Sequence, residues 1–217
     1  RLLSFSRKTN TSLQNTNLNQ VISNSLDLIC NVIPKMITVK TVLTPDLFPI
    51  YADPAQLEQV LINLINNAVD AISENKSGRI VIATHNLMLE DKNGLKDIPN
   101  GEQVVLTISD NGTGIDQENL KYVFDPFFTT KEIGQGTGLG LSSVYGIVNS
   151  HDGQIHCWSE KGQGTTFTIY FPASSHEPVH ENSEEQKTTN KTAPKNGTES
   201  ILLVDDEEMI LDLVQDF

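Results

Sequence analysis

The chain reads as an α/β protein, and three observations carry that expectation. Apolar residues recur at helical spacing in two stretches, Leu18 to Ile29 and Leu57 to Ile72. Between and after them lie runs rich in β-branched residues, Arg79 to Leu89, Gln103 to Ser109, Gln154 to Ser159 and Thr165 to Phe171. Finally, a glycine-rich turn, Gly134-Gln-Gly-Thr-Gly-Leu-Gly140, runs directly into a further helical pattern.

Taken in order, Arg1 to Lys8 is an amphipathic scrap too short to fold alone. By periodicity it fits an unstructured leader about as well as a helix end. Asn17 and Gln20 form a capping box for a helix that presents Leu18, Val21, Ile22, Leu26 and Ile29 on one face and ends at Pro34. Met36 to Leu43 alternates as a strand, and Phe48 to Tyr51 makes a second, short one. Asp53-Pro54-Ala55-Gln56 is a strong helix start: a capping carboxylate, Pro in the first turn and Gln three residues after the cap. That helix runs to about Ile72, with Leu57, Val60, Leu61, Leu64 and Ala68 inward. Asp91 to Gly101 is a loop, Leu139 to Ser150 a helix stopped at Gly153, and the last two β-rich runs a closing pair of strands ended by Pro172.

From Ser174 to Glu199 large apolar residues almost vanish and Glu, Lys, Thr, Asn, Ser and Pro take over, the composition of a disordered linker. Ser200-Ile-Leu-Leu-Val-Asp-Asp-Glu-Glu208 then opens abruptly as a buried strand with an acidic end, followed by apolar residues at helical spacing. The organisation expected is therefore 1–15 as the tail of a preceding helical domain and linker, 16–172 as one domain, 173–199 as linker and 200–217 as the start of another domain.

A net charge of −13 argues against nonspecific nucleic-acid binding, which depends on Lys and Arg neutralising phosphates. The excess is uneven, since 11 acidic and only 3 basic residues lie from Ala173 onward. An anion pocket further up is not in conflict with it. Cys30 and Cys157 are too few and too far apart for a disulfide framework or a metal site, which points to a reduced, cytoplasmic setting. No apolar run reaches membrane-span length. Without an initiator Met or signal sequence, the chain is expected to begin inside a larger protein.

Four motifs stand in order: Asn63-Leu-Ile-Asn-Asn67, Asp110-Asn-Gly-Thr-Gly114, Gly134 to Gly140, and Gly162-Gln-Gly-Thr165. Asn63 and Asn67 share a helix face, and hard amide oxygens suit Mg²⁺. Taken alone, they fit a surface stripe of amides equally well. Asp110 ends a buried-looking strand; Asp-Asn-Gly by itself reads as a turn, and Gly112 and Gly114 let the backbone approach a flat ligand. Gly136, Thr137, Gly138, Leu139 and Gly140 allow main-chain N–H groups to converge at a helix start, a geometry suited to phosphate. The glycine spacing is that of neither a Rossmann fingerprint nor a Walker loop. Lys131, after Phe124-Asp-Pro-Phe-Phe-Thr-Thr, reads as a phosphate contact or as a solvated lysine.

In order and spacing, these motifs resemble the ATP-binding domain of sensor histidine kinases, within the superfamily of DNA gyrase and the Hsp90-type chaperones. The resemblance runs from about Asp53 to Pro172. It implies a two-layer α/β sandwich of the Bergerat type: a mixed sheet, helices on one face, and a glycine-rich ATP lid from about Asp125 to Gly138. It implies that Asn67 holds Mg²⁺, Asn63 supports the phosphate end, Asp110 accepts from the adenine amino group, and Thr165 helps hold that Asp and a bridging water. Where gyrase and the chaperones carry a water-activating Glu four residues before the metal Asn, this chain has Asn63, which takes no proton at neutral pH. Transfer to a protein is thereby favoured over hydrolysis. Arg1 to Lys8 resembles the end of a dimerisation domain, and Ser200 onward the start of a response-regulator receiver domain, with Asp205 and Asp206 in its acidic cluster. The parent implied is a homodimeric hybrid kinase whose partners are its own phosphoacceptor domain and a receiver, in cis or separate. None of the five His, expected in the linker or in or beside strands, is a candidate phosphoacceptor.

Overall fold

The computed structural model describes residues 12–29, 33–72, 77–90, 98–131 and 136–174. The leader Arg1 to Lys8, Gly134, most of the linker and the receiver-like start lie outside the described residues. In chain order the elements are β1 (Gln14–Thr16), α1 (Leu18–Ile29), β2 (Ile37–Leu43), β3 (Ile50–Ala52), α2 (Pro54–Ala71), β4 (Gly78–Leu89), β5 (Gly101–Asp110), α3 (Gln117–Leu120), α4 (Gly140–Ser150), β6 (Gln154–Glu160) and β7 (Gly164–Pro172).

Five strands form a mixed sheet in the order β2-β4-β5-β7-β6, with β2 parallel to β4 and every other pair antiparallel. Strand alternation puts Ile80, Ile82, Val104, Leu106, Ile108, Ile155, Phe167, Ile169 and Phe171 on one face, where they meet the apolar stripes of α1, α2 and α4. The result is a two-layer α/β sandwich with helices on one face. On the other face Trp158 is 59% exposed, while Leu89, Gln103 and Val105 are buried. None of the described helices is long and apolar enough to cross a membrane.

α2 starts where its sequence says it should. The Asp53 carboxylate accepts from the N–H groups of Ala55 (2.9 Å) and Gln56 (3.4 Å), and Pro54 sits where no N–H is required. Leu57, Val60, Leu61, Leu64, Ile65 and Ala68 are buried, which leaves Asn63 and Asn67 on a different side of the same helix. β1 and α3 were not foreseen. β1 is a three-residue polar strand held by β3, with Gln14 opposite Ala52, and α3 is a single turn with no buried residue. Neither carries a period long enough to read.

Candidate nucleotide site

A cavity of about 560 Å³ opens between α2, the ends of β5 and β7, and the segments flanking α4. That size suits a small-molecule ligand. Asn63, Asn67, Asp110, Gly114, Lys131, Gly136, Thr137, Gly138, Gly140 and Thr165 all line it. Gly112 and Leu139 do not: the first donates its N–H to Asp110, and the second is the N-cap of α4.

At one end the site is made of strand termini. Asp110 closes β5, and its Oδ1 accepts from the N–H groups of Gly112 (2.8 Å) and Thr165 (3.3 Å). Burial pushes the Asp110 carboxyl above its ordinary value, and these two donors partly offset the shift. Asp110 Oδ2 accepts from no group among the described residues. The loop after it lies hard against its supports: a Cβ on Gly112 would stand 2.6 Å from the carbonyl oxygen of Ala71. Gly114 has φ +69° and packs on the backbone of Glu160, so a side chain there would meet both strain and collision. Cys157 lies close enough to feel Asp110. Its thiol is pushed up to about 12, first by burial and then by that carboxylate's charge, so it stays protonated and unreactive.

At the other end the parts are helix faces and a turn. The Asn63 amide reaches the carbonyl of Gly140 at 3.5 Å. α4 begins at Gly140 with no side-chain cap on its first turn, and Gly140 and Leu141 both line the cavity. The first N–H groups of a helix have no intrahelical partner, so this terminus is suited to an anion. Gly138, at φ +64°, gives its carbonyl to the N–H of Phe127 (2.8 Å), which itself has φ +67°. This pairing closes the base of the lid expected from the sequence. Lys131 is held by the carboxylate of Asp70 on α2.

The Asn67 amide Nδ2 is buried and has no hydrogen-bond partner among the described residues. Oxygen and nitrogen exchange places by turning the amide over, so the unpartnered position suits a hard oxygen ligand as well as a donor. A Cβ on Gly140 would point toward that same atom at 4.0 Å, the nearest thing it would meet. A buried amide without a partner, beside a helix N-terminus and a space that one methyl would invade, fits a magnesium ion carried on phosphates. The donor set therefore fits the group that the resemblance implies.

Several contributors went unread in the sequence. Asn66 and Thr113 line the cavity, Ile115, Val123 and Phe167 supply apolar wall, and Asp70 holds Lys131. Ser159 is fully buried and bonds both Thr165 and the loop at Ile115. His151, expected beside a strand, instead ends α4. Its Nδ1 faces the carbonyl of Ile147 (2.7 Å) and its Nε2 accepts from the N–H of Asp53 (3.0 Å), tying the end of α4 to the start of α2. It is 5% exposed, which fits a structural part and not a phosphoacceptor.

Residues 52–175 match the family described as Histidine kinase-, DNA gyrase B-, and HSP90-like ATPase, and the chain belongs to that family. Within it, the chain is a histidine kinase catalytic domain by its relatives. It is 39% identical over 214 residues to Sensor kinase CckA of Brucella abortus (strain 2308), covering 96% of this chain and 22% of that protein. The solved catalytic domain of histidine kinase ThkA is 32% identical with TM-score 0.59, covering 75% of this chain and 96% of that one. Histidine kinase ThkA in complex with response regulator protein TrrA is 26% identical with TM-score 0.59, covering 80% of this chain and 45% of that one. The chain thus spans about a fifth of the length of CckA, and most of an isolated kinase catalytic domain.

Proposed function

We propose that this domain binds Mg·ATP and passes the γ-phosphoryl group to a histidine on the dimerisation domain of its own parent. The observation that carries the reading is Asn67: a buried, unpartnered amide facing the N-terminus of α4, in a cavity whose far end holds a buried carboxylate at Asp110. Asp110 accepts from the adenine amino group. Asn63, Asn67, Lys131 and the turn from Gly136 to Gly140 take the phosphates. Asn67 would hold a Mg²⁺ ion, which would supply positive charge to offset the charge that develops as the phosphoryl group leaves.

In the transfer step an imidazole nitrogen of the acceptor attacks Pγ. A P–N bond forms, the bond from Pγ to the β–γ bridging oxygen breaks, ADP departs, and the imidazole gives up its N–H proton. Asn63 stands where the water-activating relatives carry a base, and an amide does not accept a proton at neutral pH. Hydrolysis is therefore slow while transfer proceeds.

The parent is a homodimeric hybrid kinase acting in the cytoplasm. Arg1 to Lys8 ends its dimerisation domain, and the stretch from Ser200 begins a receiver. Two things support this wider reading: the similarity to CckA, whose match of 214 residues takes in 96% of this chain and so runs well past Pro172, and the ThkA neighbour solved with a response regulator.

The test supplies a separate dimerisation domain bearing the acceptor His and follows labelled γ-phosphate onto it. Wild-type chain labels the acceptor, whereas Asn67→Ala does not, at unchanged circular dichroism and melting temperature. Rapid steady-state phosphate release that Asn63→Ala abolishes would replace the kinase reading with a water-activating ATPase.

A further inference from the structure

We infer that Ser159 is a positioning residue that sets the hydrogen-bond polarity of Thr165, making Thr165 a pure acceptor at the base end of the cavity and so a determinant of nucleobase choice. The inference rests on the nucleotide reading above and goes beyond it, since it concerns a residue outside the four motifs and the direction of one proton.

The argument is a count of protons and lone pairs. Ser159 lies on β6 and is 0% exposed. Three polar groups surround its hydroxyl: the N–H of Ile115 at 2.8 Å, the carbonyl oxygen of Gly164 at 2.8 Å, and the hydroxyl of Thr165 at 2.9 Å. A serine hydroxyl has one proton to give and two lone pairs to fill. A carbonyl only accepts, so the one proton goes to Gly164. An amide N–H only donates, so one lone pair is taken by Ile115. The remaining contact is fixed by elimination: Thr165 donates to Ser159. Reversing it would leave the Gly164 oxygen facing the Ser159 oxygen with no proton between them.

The consequence lies in the cavity, which Thr165 lines. With its only proton directed at Ser159, Thr165 Oγ1 offers lone pairs alone. Asp110 likewise accepts only, and the N–H of Thr165 is committed to Asp110 Oδ1. Two neighbouring acceptors and no side-chain donor make a surface matched to an amino edge, or to a water that donates. A base with a carbonyl at that edge leaves buried acceptors facing an acceptor, which is where large discrimination arises. Ser159 adds a second effect by holding Ile115, immediately after Gly114, so the loop and the proton order share one anchor.

Inosine triphosphate is the diagnostic probe, because it replaces the 6-amino group of adenine by a carbonyl and leaves sugar and phosphates alone. In competition binding against a fluorescent nucleotide, the full chain should prefer ATP. Ser159→Ala frees the Thr165 proton to donate, and the ratio of ATP to inosine triphosphate affinity should fall about tenfold. A merely structural role predicts equal loss for both nucleotides and an unchanged ratio. Because Ser159 is argued to act through its neighbour, Ser159→Ala should alter the ratio far less when made on Thr165→Val than on wild type. Should Ser159→Ala not fold, Thr165→Val alone, with Ser159 intact, keeps the question open to measurement: it too must lower the ratio. An unchanged ratio in the folded variants overturns the inference and leaves the ATP reading standing. Failure of wild-type chain to bind either nucleotide overturns both.

Discussion

The two ends of the cavity are built on opposite plans. At the base end Asp110, Thr165, Ser159 and the loop from Asn111 to Ile115 form a closed hydrogen-bond circuit within strands and tight glycine turns. At the phosphate end, among the described residues, one long amide contact joins Asn63 to Gly140, a single ion pair holds Lys131, and the Asn67 amide has no partner. A buried polar group left unsatisfied costs roughly 1–3 kcal/mol. Such a cost persists where a ligand repays it on binding. The Asp110 end is therefore braced within the protein, with Asp110 Oδ1 and the Ser159 hydroxyl fully engaged and acceptors left toward the cavity, while the α4 end leaves whole side chains for a ligand to engage. Substitutions at the first should damage the fold or the choice of base; substitutions at the second should damage binding and transfer while the fold survives.

The sharpest way to break this contrast uses two glycines, one from each end. Gly164 has φ +104°, and a Cβ there would collide with the carbonyl of Asp110. Gly140 has no such conformation, and its Cβ would meet only the Asn67 amide at 4.0 Å. Gly164→Ala should cost about 3 kcal/mol or more, through strain and backbone collision together, and lower the melting temperature by roughly 10 °C or more. Gly140→Ala should leave thermal unfolding unchanged or slightly raised, since Ala suits a helix better than Gly, while nucleotide affinity drops about tenfold as the methyl enters the phosphate space. Both are read by a melting curve and a titration. A Gly140→Ala variant that loses stability and keeps affinity would erase the distinction.

Asp110 sharpens the comparison through pH. Its folded-state pKa is raised by burial, so ionisation opposes folding. The penalty is absent below the ordinary carboxylate value of 3.8 and complete once pH passes the raised folded value. Asp110→Asn keeps an oxygen for the N–H groups of Gly112 and Thr165 but carries no charge. Its melting temperature should exceed wild type at neutral pH, with the gain shrinking to nothing as pH falls toward the unperturbed range. The same variant should lose preference for ATP over GTP, because an amide can turn a donor toward a carbonyl. Greater stability together with poorer selectivity is the signature of a group kept for its ligand. A variant less stable at neutral pH would instead make Asp110 a structural residue.

The sequence disclosed these ends unequally. α2 was legible because Asp53, Pro54 and Gln56 are local signals acting within one turn, and the core strands were legible because burial imposes a two-residue period on them. The cavity end beside α4 showed itself as glycines followed by a helix, again a local pattern. Ser159 gave no such sign: a serine in an alternating strand looks like any other, and its meaning depends on partners such as Ile115, 44 residues away. His151 was likewise invisible as a tie to Asp53, 98 residues distant. β1 exists only because β3 pairs with it. Local chemistry can be read from one chain, but contacts closed by the fold cannot.

The smallest expected effect concerns Lys131, which the sequence left between phosphate contact and solvated lysine. Its ammonium is held by Asp70, with both side chains substantially exposed. An exposed pair of this kind contributes about 0–1 kcal/mol, so neither Lys131→Ala nor Asp70→Ala should move the melting temperature by more than a few degrees. Affinity separates the roles. Both residues line the cavity, and Asp70 competes with phosphate for the same cation. If Lys131 changes partner when nucleotide binds, Asp70→Ala releases it in advance and should tighten ATP a few-fold, whereas Lys131→Ala should weaken ATP more than ADP, because the γ-phosphate is the extra anion. The double variant should behave like Lys131→Ala, since without the lysine its competitor has nothing to withhold. Salt should compress all three differences through screening. If Asp70→Ala and Lys131→Ala leave ATP and ADP affinities alike, the pair is a surface contact, and the phosphate end rests on Asn63, Asn67 and the first turn of α4 alone.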